Sequence, residues 1–176
     1  MTATVTHHVV ADRLRPWATG SLPLAAAVEL LIRAFDGRFA RHEQPWIRIE
    51  ANGYAWLDDH ALAAGLGRLS GGERRVLSIV AALADTSGNR RIDLADAITE
   101  IDRTHLDLVL AALAHAAGSH LDSTLVLADN GDSVRLVHLS TLHPWPATAP
   151  STARSAVCSS AAGPMAGPPH SPAPGR

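Results

Sequence analysis

No lysine occurs among the 176 residues. Schiff-base chemistry through a lysine amine is therefore excluded, as is a nucleotide-cradling loop whose lysine reaches the phosphates. The one cysteine, Cys158, rules out an intramolecular disulfide and suits a reducing compartment. It lies where nothing is expected to hold a base against it, so thiol catalysis is not expected either. No run approaches the roughly 18 apolar residues that a membrane helix needs. The opening MTATVTHHVVADRLRP lacks the cationic start and apolar centre of a secretory signal. A cytoplasmic protein is expected. His7 and His8 form a pair in what reads as a flexible N-terminus, residues 1–20.

Acids are missing from one end of the chain. All 17 precede Pro144, whereas the stretch from Pro144 onward holds eight of the 11 prolines and little that could be buried. Residues 144–176 therefore read as a disordered Pro/Ala/Ser-rich tail. The formal net charge of −2 argues against a broadly basic nucleic-acid coat. Between these ends, residues 21–143 read as a single globular domain, of α+β class and mainly helical.

Ser21 and Pro23 open a helix, LPLAAAVELLIRAF, that Asp36-Gly37 should end. Leu24, Ala27, Val28, Leu31, Ile32 and Phe35 fall on one face, and Glu29 and Arg33 pair at i,i+4. Trp46, Ile47 and Ile49, then Asn52-Gly53, then Tyr54 and Trp56 predict a hairpin. Aromatic packing across it is a simpler use of these rings than stacking on a base or ligand beside Arg48. Asp58, Asp59 and His60 open a short helix, where the acids suit the positive end of the helix dipole.

Ser70 and Glu73 make a capping box for the apolar helix that follows, expected to be central and buried. Asp93 caps LADAITEI, and Asp102 caps a longer helix that places Leu106, Val109, Leu110 and Leu113 on its core side. Gly118 offers the left-handed residue that ends it. Two β-rich runs around Asp129-Asn130-Gly131-Asp132 predict a second hairpin. Residues 21–68 thus supply a helix, a hairpin and a short helix, and residues 69–139 three helices and a hairpin.

The latter part, carried by Leu94 to Ile98, Ile101 to Arg103, Leu106, Leu110, Leu113 and Gly118, resembles a winged helix-turn-helix. The resemblance implies a three-helix core with a C-terminal β-hairpin. Leu69-Ser70-Gly71-Gly72-Glu73 resembles the signature of ABC-type ATPases, but no phosphate loop accompanies it, and the capping box accounts for it. A degenerate half-site serving a partner ATPase is the remote alternative.

No residue set carries a specific catalytic signature. Ser70 is one position away from a G-x-S-x-G elbow and no strand precedes it. His105 and His115, ten residues apart on one helix, cannot share a metal ion. His115, His120 and Asp122 could converge at the Gly118 turn, although a histidine there also serves the helix dipole. No cofactor is expected.

A DNA-binding regulator, implied by the winged-helix resemblance, would use Arg74, Arg75, Arg103 and Arg135. The segment Asp93–Leu139, however, holds eight acids against two arginines, which opposes contact with phosphates. The favoured reading is a non-enzymatic module for protein interaction or self-association, meeting its partner through Leu108, Ala111, Ala112 and Ala114 on the outer side of the third helix. DNA binding is the alternative, and an enzyme subunit the third.

Overall fold

The computed structural model describes residues 3–127 and 133–147, with side chains from Val10 onward. Both the second hairpin's turn at Asp129–Asp132 and the tail beyond residue 147 lie outside the described residues. The chain is α+β and mainly helical. Six helices, α1 (Ala3–Trp17), α2 (Leu22–Arg33), α3 (Asp59–Gly65), α4 (Gly71–Ala84), α5 (Leu94–Ile98) and α6 (Arg103–Ala116), accompany two antiparallel hairpins among the described residues. These are β1 (Ile47–Ile49) with β2 (Ala55–Leu57), and β3 (Ser123–Leu127) with β4 (Val134–His138).

Local chemistry sets the helix starts. Ser21 Oγ accepts from the Leu24 amide at 3.4 Å, Asp58 from Ala61 at 2.9 Å, Asp93 from Ala95 at 2.9 Å and Asp102 from His105 at 3.0 Å. Each satisfies an amide that the helix itself leaves unpaired. At α4 the capping box forms, with the Ser70 amide donating to Glu73 Oε2 at 3.0 Å. At the end of α6, Gly118 takes φ +77° and donates to the His115 carbonyl, while Ser119 donates to that of Ala114. This pair of bonds is a Schellman ending.

The centre of the core is α2, which packs against both α4 and α6. Ala26 and Leu30 are buried along with Leu24, Ala27, Val28 and Leu31, so α2 is enclosed on more than the one face that its spacing predicts. The helix α4 contributes Val76, Leu77, Ile79 and Val80, all buried. The two sequence halves therefore share one core.

Four expectations are corrected. The N-terminus is the helix α1, whose Val10, Ala11 and Leu14 enter the core together with Ala18 just beyond its end. Its Arg15 donates from Nε to Glu29 Oε1 at 2.5 Å, and Arg33 donates to Oε2 of the same carboxylate at 3.0 Å. Burial pushes Glu29 up, but these two arginines outweigh it and hold the carboxyl below its usual range.

The helix α2 stops at Arg33 rather than running to Phe35. Phe35, Asp36 and Gly37 take φ of 52°, 55° and 67°, a left-handed turn costing about 1–2 kcal/mol per non-glycine residue. Contacts with α6 hold it in place, as described below.

On α6 the buried residues are Leu108, Val109, Ala111 and Ala112, whereas Leu110 and Leu113 are exposed. The helix is thus rotated from the expected phase. Its alanines let α2 approach closely, and the bulkier leucine stripe faces out.

The tail does not begin at 144. Residues 139–147 fold back as a strap, with His143 Nε2 2.7 Å from Asp107 Oδ1 and Arg33 donating to the Pro146 carbonyl at 3.2 Å. Trp145 packs against the core beneath the Arg33 guanidinium, 5.1 Å from its ring centroid.

Candidate functional site

The hairpin β3–β4 is the least covered part of the described chain. Its register pairs Ser123 with His138, Leu125 with Leu136 and Leu127 with Val134 on one face, and Thr124 with Val137 and Val126 with Arg135 on the other. The first face is a two-rung apolar ladder. Leu125 is 70% exposed, Leu127 67%, Val134 59% and Leu136 58%. An isolated two-stranded hairpin is marginal in water and normally packs an apolar face on something. Leu125, Val126 and Leu127 are apolar in succession, so both faces carry apolar side chains, and within the described residues all of these but the half-buried Val137 are exposed.

The residues expected to form an interface lie elsewhere. Leu108, Ala111 and Ala112 are buried within the protein's own core, and Ala114 is half-buried. The first three cannot meet a partner without unfolding α6 from α2. The mistake came from two apolar stripes on one helix, between which spacing alone does not choose.

Among the proposed DNA-contacting residues, Arg75 is engaged inward. Its Nε donates to the Asp96 carbonyl and its Nη1 meets Glu100 Oε2, each at 3.0 Å, so it ties α5 to α4. Arg74, Arg103 and Arg135 are exposed. Two of the acids that opposed DNA, Asp93 and Asp102, are turned onto helix starts.

A cleft of about 480 Å³ opens between the left-handed turn and the starts of α4 and α6, lined by residues including Arg33, Asp36, Arg38, Glu73 and His105. His105 stacks on Phe35 with ring centroids 3.9 Å apart, and the Phe35 amide donates to His105 Nε2 at 3.2 Å. Nε2 is thus an acceptor, which leaves the proton on Nδ1, donated to Asp102 Oδ2 at 2.5 Å. The His105 amide holds the Asp102 carboxyl below its usual range; burial opposes it, and the His105 ring adds to the lowering.

An Asp–His pair in a cleft suggests general-base catalysis, but here the second ring nitrogen already receives the Phe35 amide. Arg38 is likewise ion-paired with Glu73 and lies over the Phe39 ring. Arg33 holds Glu29 and Pro146. Arg33, Arg38, Glu73 and His105 are thus all engaged, so the cleft reads as the seam that fixes the left-handed turn. In the same way Glu73, in the ABC-like pentapeptide, serves its own helix cap and Arg38.

His115 and His120 do come together. Their rings stack in parallel, 4.3 Å apart, with Trp145 alongside His115. Parallel stacked rings do not point their nitrogens at a common ion, Asp122 is exposed, and no three-residue metal cluster occurs among the described residues. Burial, then the neighbouring His120, lowers the His115 pKa from 6.5, with Glu29 acting weakly the other way. The unfolded chain therefore binds this proton more readily, so His115 costs stability as pH falls from 6.5 through the lowered folded value. Thermal melts from pH 8 to 5 should show a decline that is shallower in His115→Gln. Equal slopes would mean that the ring is as easily protonated folded as unfolded.

No described helix is long and apolar enough to cross a membrane. In comparisons with known proteins, the chain matches no family model, no curated protein and no solved structure.

Proposed function

We propose that this chain is a non-enzymatic protein-interaction module, winged-helix-like in its order of elements, whose contact surface is the ladder face of the β3–β4 hairpin. The observation that carries this reading is the exposure of Leu125, Leu127, Val134 and Leu136 side by side. Scattered apolar residues on a surface are ordinary, whereas a contiguous patch on a two-stranded sheet supports an interaction surface. The position is therefore moved from α6 to the hairpin, while the class of function expected from the sequence is kept.

A photo-crosslinking residue in place of Leu127, in the full chain expressed in its own cells, tests this. Adducts to protein should form there, be absent when the crosslinker replaces the exposed Arg68, and disappear on adding Leu136→Glu. Crosslinking no stronger at 127 than at 68 would discard the reading.

A further inference from the structure

We infer that the occupant of the ladder face is a second copy of this chain, packed face to face about a two-fold axis; this rests on the ladder being an interaction surface at all. Three features of the molecule argue for that occupant.

The first is what the rest of the chain could supply. Residues 148–176 contain no Leu, Ile, Phe, Trp or Tyr, and only Val157 and Met165 as larger apolar side chains. Such a segment has too little apolar surface to cover two rungs of Leu and Val while offsetting the entropy lost on ordering it. Residues 148–176 are thus a poor cover.

The second is the symmetry of the face. Leu125 stands across from Leu136 and Leu127 across from Val134, so the ladder presents similar apolar side chains on both strands. A two-fold contact requires a surface complementary to itself. No charge lies within the two rungs. Arg135, the charged residue of the described strands, belongs to the opposite face, beside Val126. Two copies can therefore stack their ladders at ordinary sheet-packing distance without burying an ion.

The third is area. The four side chains expose on the order of 400 Å² per copy, roughly half of the ~800 Å² per partner in a standard interface. An area of that size fits a weak, transient contact and is too little for a permanent dimer. The expected species is a reversible dimer that populates in the micromolar range, with monomer dominant on dilution.

Sedimentation equilibrium of the full chain from about 1 to 300 µM tests this directly. Wild type should pass from monomer to dimer within that range. The double variant Leu125→Thr/Leu136→Thr, which keeps a β-compatible pair across the strands, should stay monomeric throughout, a loss of at least roughly 100-fold in association, while melting as wild type does at concentrations where wild type is monomeric. Thr124→Glu, on the opposite face, should still dimerise. A wild-type chain that remains monomeric at 300 µM, or a dimer that survives the double substitution, overturns the inference. The crosslinker at position 127 separates the two levels. Adducts at twice the monomer mass support the second copy. Adducts only to other proteins keep the interaction surface and remove self-association, and no adducts with a monomeric chain remove both.

Discussion

Ala112→Glu is expected to leave the chain unable to fold, whereas Leu110→Glu, two positions earlier on the same helix, is expected to fold and melt like wild type. Ala112 is fully buried where α6 meets α2, and Leu110 is 43% exposed. A carboxylate forced into that contact has no partner and no room, at a cost of at least about 4 kcal/mol, a large part of the 5–15 kcal/mol that holds a typical domain together. The same group at position 110 stays in water. The pair tests the rotational phase of α6, because the phase read from leucine spacing forecasts the reverse order. Circular dichroism melts of both variants would decide, and a cooperative, wild-type-like transition in Ala112→Glu would show that α6 does not pack as described.

Trp46→Ala should produce the second large loss, about 3–5 kcal/mol, typical of emptying an aromatic site in a core. Trp46 is buried, its Nε1 donates to the Phe39 carbonyl at 2.8 Å, and its own carbonyl accepts the Asp58 amide at 2.8 Å. One residue thus joins the first hairpin, the segment after the left-handed turn and the start of α3. Trp46→Phe separates volume from hydrogen bonding: it refills most of the space but leaves the Phe39 carbonyl without its donor, costing about 1–3 kcal/mol. Denaturant unfolding of wild type and both variants would rank them. A loss below about 1 kcal/mol in Trp46→Ala would mean that the indole is not the joint it is described to be.

What could be read from the sequence was what local chemistry determines. Caps at Ser21, Asp58, Ser70, Asp93 and Asp102, the turn at Asn52-Gly53 and the Gly118 ending all depend on a few neighbouring residues, and each lies where the residues predict it. What could not be read depended on distant partners. The stripe of Val10, Ala11 and Leu14 on α1, continued by Ala18 after it, is diluted by polar neighbours, and Arg15 gains its role only beside Glu29. The left-handed turn at Phe35 is stabilised by His105, 70 residues away. Trp145 sat in a proline-rich context that hid its partner, Arg33. For the candidate site the limit was the same: the hairpin was legible from its residues, but its lack of cover among the described residues was not, because apolar strand residues report what a face offers and not what lies over it.

The tryptophan that joins these elements also constrains a residue it never bonds to. A Cβ built on Gly65 would lie 2.9 Å from Trp46 Cζ3, closer than two carbons can approach, so position 65 is barred to every side chain while the indole is in place. The two sites are locked together in mutational history: a lineage that gains a side chain at 65 must first, or at the same time, have shrunk the ring at 46. In diverged copies of this chain a side chain at 65 should therefore be found only where residue 46 is smaller than tryptophan, whereas glycine at 65 can persist whatever stands at 46.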